Sequence, residues 1–112
     1  MNPPPKIGDV FIVDLGEAAK VRPIVIVSCE DDRAPGALAM AVPLSLENRG
    51  SKYEVAMPRV PWLRSQGIAN VQVMASISWH QLTNYRGRFD RSVITKIQDA
   101  IRWALDLEGP RA

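Results

Sequence analysis

Arg22-Pro23 stands directly before the apolar run Ile24-Val25-Ile26-Val27, and Ser45 follows a second apolar stretch, Val42-Pro43-Leu44. Arginine carries a permanent charge on a planar fork of donors that fits a phosphate. The fixed φ of Pro23 restricts the backbone beside it, which suits a residue that must be held in place. Ser45 is a second polar point, at the end of a different predicted strand. Two strand ends in a small barrel can lie close together, so Arg22 and Ser45 can converge on one anion. The alternative for Arg22 is an ordinary surface charge at the start of a strand.

Other chemistry finds less support. The chain has one histidine, His80, and one cysteine, Cys29, so no paired His or Cys spacing of a metal site exists. Glu30-Asp31-Asp32 lacks the glycine and the later bidentate acid of a calcium loop, and reads as a solvated loop. A Ser/His/acid triad has its residue types but no glycine-flanked serine elbow. Gly8, Gly16 and Gly36 are isolated, so there is no glycine-rich phosphate loop and no cofactor is expected. His80 follows Trp79 at the start of a predicted helical turn, where a structural or surface role is expected. Cys29, at the end of an apolar strand, is expected to be a buried thiol.

The elements that must position Arg22 and Ser45 belong to one domain spanning all 112 residues. An apolar fraction of 46% and a charged fraction of 23% are those of a globular protein. No apolar run approaches the ~20 residues that span a bilayer, and the expected location is the cytosol. Residues 1–6 form a proline-rich arm that can join neither helix nor ladder. The net charge is +2, with Arg59, Arg64, Arg86, Arg88, Arg91 and Arg102 all in the second half, which permits nucleic-acid binding without demanding it.

Strands are predicted at 10–13, 23–28, 37–42, 53–57, 69–76 and 85–89, with Pro43 closing the third and Val71, Val73 and Ala75 on one face of the fifth. Trp79 to Leu82 has room for one helical turn. Val93, Ile94, Ile97, Ile101, Ala104 and Leu105 recur at helical spacing, with Asp90 or Ser92 as N-cap and Gly109-Pro110 as the stop. Short, evenly spaced strands and one terminal amphipathic helix predict a mainly β fold, a small barrel or strongly bent sheet with the helix over one open side.

At these residues the chain resembles the MazF/PemK family of toxins from bacterial toxin–antitoxin pairs. Gly8 to Leu15 resembles the family's G-D-[IV]-x-x-[VA]-D-[LF], and Arg22 to Ser28 its R-P-[VA]-[VL]-[VI]-[VL]-S. Val42-Pro43-Leu44-Ser45 resembles V-P-[VIL]-T, and Tyr53-Glu54-Val55 the F-x-V that follows. Ser76 to Leu82, then Gly87 and Phe89, resemble [ST]-I-[DA]-x-x-R-L-x-x-x-x-G-x-[LF]. Five pieces in order at compatible spacing cover nearly the whole chain.

The resemblance implies an SH3-like barrel with helices, paired as a homodimer, and metal-independent, sequence-selective cleavage of single-stranded RNA. In that reaction the ribose 2′-hydroxyl attacks the adjacent phosphate, leaving a cyclic phosphate and a free 5′-hydroxyl. Arg22 matches the family's catalytic arginine and Ser45 its catalytic threonine. The loop Gly16 to Val21 matches the loop that borders the RNA groove and responds to the antitoxin. Glu17, Lys20, Pro23, Asn70, Gln72 and Ser76 are the RNA-binding positions the resemblance implies, and the implied partner is an acidic, partly disordered antitoxin.

The chain departs from the family at Gln72, where an acid is usual, at Val73, where glutamine is usual, and at Asn70, where arginine can stand. Glutamine can hydrogen-bond RNA but cannot act as a carboxylate base. Glu17-Ala18-Ala19-Lys20 likewise departs from the usual Glu-Gln-x-Gly character of the first loop. The competing readings are a catalytically impaired RNA- or DNA-binding module, a CcdB-like gyrase-targeting module on the same fold, and a partner protein with Trp62 and Trp103 at an interface.

Overall fold

The computed structural model describes residues 4–16, 21–64 and 67–109. Among them, seven strands and one α-helix follow in the order β1 (Asp9–Asp14), β2 (Val21–Ile26), β3 (Leu38–Ser45), β4 (Glu54–Ala56), β5 (Ile68–Asn70), β6 (Ala75–Ser78), β7 (Tyr85–Arg88) and α1 (Arg91–Ala104). Every pairing is antiparallel, in the order β4-β5-β3-β2-β1-β7, with β6 added on β3. The sheet is barrel-like but does not close.

Strand alternation divides the apolar residues between two cores. Val10, Val25, Val42 and Leu44 pack with Phe89 and with Ile94, Ile97 and Ala100 of α1. Their neighbours Phe11, Val13, Ile24, Ile26, Ala39 and Ala41 pack on the opposite face with Ile77 and Leu82. The helix therefore covers one face, as its periodicity predicts, and each fully buried Ile contributes about 1.5–3 kcal/mol. Arg22 lies two residues before Ile24 and belongs to the second face, away from the helix.

Pro43 does not close the third strand. It pairs with Ile24 of β2, and β3 continues to Ser45. On its other flank β3 pairs with β6 up to Ala41 and with β5 from Leu44. The proline sits in the gap between these two partners, where that flank has no ladder to interrupt.

The expected strand over 69–76 is two strands separated by a 3₁₀ turn, Val71–Val73. Asn70 is the cause: its Oδ1 accepts a hydrogen bond from Gln72 N at 3.0 Å, a local turn that breaks the ladder. Val71 is consequently buried and Val73 exposed, so they do not share a face. The predicted turn at Trp79–Gln81 is present, with Ser78 Oγ accepting from His80 N and Gln81 Oε1 accepting from Ser78 N, both at 3.2 Å.

Helix α1 starts at Asp90, whose carboxylate accepts from Val93 N. It ends well before Gly109. Asp106 takes the left-handed conformation, φ 59°, with Asp106 N donating to Trp103 O at 3.2 Å and Leu107 N to Arg102 O at 2.9 Å. This pair of bonds is a Schellman cap with aspartate where glycine is usual. Trp103 and Trp62 pack within the chain, against Tyr53 and Phe89 respectively, with ring centroids 4.9 Å apart in each pair. Cys29 is exposed, contrary to expectation, because β2 stops at Ile26 and the thiol falls in the loop that follows.

Two carboxylates tie local structure to pH. Glu54 is held below its ordinary pKa by hydrogen bonds from Arg49 N, Ser51 Oγ and Ser51 N, which order the loop before β4. Asp90 is held below its own by the Ser92 hydroxyl and Val93 N. A depressed carboxyl contributes stability above its unfolded pKa, about 4, and loses it as the pH falls through the folded value. The Glu54→Gln/Asp90→Asn double variant should show a shallower fall in urea midpoint than the parent on acidification below about pH 5. Parallel curves would mean that neither carboxylate is coupled to folding.

Candidate active site

Arg22 lines an open groove of about 700 Å³ on the face opposite the helix. Four separated segments form it: Asp14, Leu15 and Gly16 at the end of β1; Arg22 and Ile24 on β2; Ala41 and Pro43 on β3; and Val73, Ala75, Ser76, Ile77 and Gln81 on the β6 side. The strand registers explain the assembly. Arg22 pairs with Val13, one residue before Asp14, and Ile24 pairs with Pro43, while Ala41 pairs with Ala75. Most of the wall is apolar. Among the described residues lining it, Arg22 is the one cation and Asp14 the one acid.

The expected site residues are placed differently from one another. Arg22 and Ser76 line the groove. Ser45, the last residue of β3, is not among the lining residues. Its relation to Arg22 is nevertheless close in register. The β2–β3 ladder runs Ile26–Ala41, Val25–Val42, Ile24–Pro43, and two more steps would set Ser45 opposite Arg22. Ser45 Oγ accepts from Glu47 N at 3.1 Å, which leaves its hydroxyl hydrogen able to donate to an anion.

Pro23 lies on β2 opposite Ile12 and is not part of the groove lining. Asn70 and Gln72 also lie off it, joined to each other by the bond that makes the 3₁₀ turn. Glu17 and Lys20 lie outside the described residues. Glu30, Asp31 and Asp32 are exposed, and Asp31 Oδ1 accepts from Arg33 N in a local turn. His80 is exposed. No group of three or more His, Cys, Asp or Glu able to hold a metal ion occurs among the described residues, and no helix among them is long and apolar enough to cross a membrane.

The strand-by-strand reading missed Asp14 and Gln81 as groove residues, while Val73, noted for its departure from the family pattern, does line the groove. Gln81 stands at the arginine of the [ST]-I-[DA]-x-x-R-L pattern, a signal that was available. Asp14 lies in the opening pattern, but nothing in the sequence marks it as facing Arg22's groove rather than solvent.

Backbone packing fixes the end of β3. Gly67 has φ +55°, and a Cβ placed on it would lie 2.0 Å from Ser45 O and 2.7 Å from Ser45 C. The chain entering β5 therefore lies directly on the Ser45 peptide, which only glycine permits.

Comparison with known proteins gives the same outline. An endoribonuclease from a mycobacterial species, solved in complex with its cognate antitoxin, superposes with a TM-score of 0.81 at 29% identity, over 95% of this chain and 99% of that one. Another structure of an endoribonuclease from a mycobacterial species gives 0.79 at 29% identity, with 98% of each chain covered. MazF from Deinococcus radiodurans, at 17% identity, shares the fold with a TM-score of 0.76 over 94% of this chain and 99% of that one. No match was found among curated protein sequences. The model of PemK-like, MazF-like toxins of type II toxin–antitoxin systems matches residues 6–105. That span runs from the first buried strand through the last helix, taking in every strand that builds the Arg22 groove, and the chain is a member of this toxin family.

Proposed function

We propose that this toxin is a sequence-selective endoribonuclease that cleaves single-stranded RNA without a metal ion, and that Arg22 and Ser45 carry the reaction. The observation that carries the reading is the position of Arg22, the one cation among the described residues of the groove wall. A scissile phosphate beside Arg22 would have its transition-state charge stabilised by the guanidinium fork. The 2′-oxygen bonds to phosphorus as its proton leaves, the bond from phosphorus to O5′ breaks, and O5′ takes up a proton. The products are a 2′,3′-cyclic phosphate and a 5′-hydroxyl. With a pKa above ~12, arginine serves better as a fixed positive charge than as the base. Ser45 would donate its hydroxyl to a phosphate oxygen, a role consistent with its register position and with the bond it accepts from Glu47 N.

Several partners fit this reading. An acidic antitoxin segment complements a chain of net charge +2. The mycobacterial relative in complex with its cognate antitoxin supports such a partner. A homodimer would bury exposed apolar side chains such as Leu38 and Met40. These proteins would work in the cytosol, where mRNA is the substrate.

One observation favours a second reading, in which the groove binds RNA without cutting it. Val73, exposed and on the wall, supplies neither acid nor hydrogen bond where the family has glutamine. Incubation with mixed-sequence single-stranded RNA in the presence of chelator separates the two. Fragments bearing 5′-hydroxyl ends at a recurring sequence are expected; intact RNA that remains bound would leave the binding module.

A further inference from the structure

Among its described residues, the groove wall has a charge pattern poorly suited to tracking a nucleic-acid backbone. Among the described wall residues it has a single arginine, balanced by Asp14, against Leu15, Ile24, Pro43, Val73, Ala75 and Ile77. One cation neutralises about one phosphate, and for a single strand that corresponds to a salt slope of only about −0.7. A carboxylate beside it repels any second phosphate. What such a wall does accept is a base, stacked on apolar surface with its polar edge toward a hydrogen-bonding group.

We propose that Asp14 is a specificity-determining residue of this groove, selecting a base that presents an exocyclic amino group. The proposal rests on the RNA-binding reading above and names what that site selects. Asp14 Oδ1 is occupied, accepting from Gly16 N at 3.0 Å in the turn that follows β1. Among the described residues no donor is bonded to its second oxygen, Oδ2, which can accept from a ligand in the groove. A carboxylate has acceptors only, so it pairs with the amino groups of cytosine, adenine and guanine. Uracil offers a single ring N–H between two carbonyls, whose oxygens a carboxylate repels. Across the groove, Gln81 Oε1 accepts from Ser78 N, which fixes that amide and leaves its NH₂ as the donor for a base carbonyl or ring nitrogen.

Asp14→Asn tests this cleanly. Asn retains the acceptor for Gly16 N, so the turn is kept, but puts an NH₂ where Oδ2 was and turns an acceptor into a donor. The probes are 2′-O-methyl pentamers of cytidine, adenosine and uridine, which lack the attacking hydroxyl and report binding alone. The parent should bind the cytidine and adenosine pentamers about tenfold or more tighter than the uridine pentamer, since one good base contact discriminates by ~1–3 kcal/mol. In Asp14→Asn that ratio should fall to about one or reverse, with the thermal midpoint unchanged. A preference that persists in Asp14→Asn, or that is absent from a parent that binds all three, overturns the proposal and leaves Asp14 a turn residue. A parent that binds none of the three removes the RNA-binding reading itself, and this proposal with it.

Discussion

Arg22→Ala is expected to lower RNA cleavage by at least about 10²–10³-fold, the scale on which loss of one positioned transition-state donor is felt. The fold should be nearly indifferent to the change. Arg22 is half-buried at the open end of β2. It belongs to the groove face, and its backbone pairing with Val13 does not depend on the side chain. The unfolding free energy should therefore change by no more than about 1 kcal/mol. Arg22→Lys sharpens the result, since it keeps the charge and gives up the planar fork. Partial activity in Arg22→Lys would mean that charge alone supplies part of the stabilisation; activity as low as in Arg22→Ala would mean that the bidentate geometry is essential. An equal collapse of fold in Arg22→Ala would sink the catalytic assignment and make Arg22 a structural residue.

What the sequence revealed follows from how local each signal is. The alternation of Val10-Phe11-Ile12-Val13 and Ile24-Val25-Ile26 needs only its own residues to be read, and both strands exist, though β2 runs over Val21–Ile26, two residues earlier than the expected 23–28, with Arg22 and Pro23 inside it. The same holds for Ile94, Ile97 and the Asp90 cap of α1. The errors came where a side chain overrides periodicity. Asn70 bonds its own backbone and splits a run that alternates on paper. Asp106 accepts a left-handed conformation that glycine normally supplies, so Gly109 was a false stop. Pro43 survives inside β3 because two partners meet beside it, a fact that belongs to the sheet and not to the strand. The groove was the least legible feature for the same reason. Arg22 could be singled out by its neighbours Pro23 and Ile24, but Asp14 and Gln81 join it on one groove wall only through three strand registers acting together.

Gly67→Ala should produce the largest loss of stability, and it does so beside the Ser45 end of the site. A Cβ at 2.0 Å from Ser45 O meets backbone, which cannot rotate aside as the tip of a side chain would. Two costs combine. A non-glycine residue at φ +55° costs roughly 1–2 kcal/mol, and the overpacking costs about 1–3 kcal/mol more as β5 is pushed from β3. The loss should register as a lower urea midpoint with a nearly unchanged m-value. Because the displaced atoms are those of Ser45, cleavage should fall further than the folded fraction accounts for. Ser45→Ala is the control, since it removes the hydroxyl and leaves the backbone in place: cleavage should drop while the midpoint barely moves. If Gly67→Ala matches the parent in stability, the Ser45 peptide can give way at little cost, and the close approach of β5 is not what fixes it. If it unfolds early yet keeps full activity per folded molecule, the position of Ser45 does not govern the chemistry. Arg22 would then hold the phosphate without it.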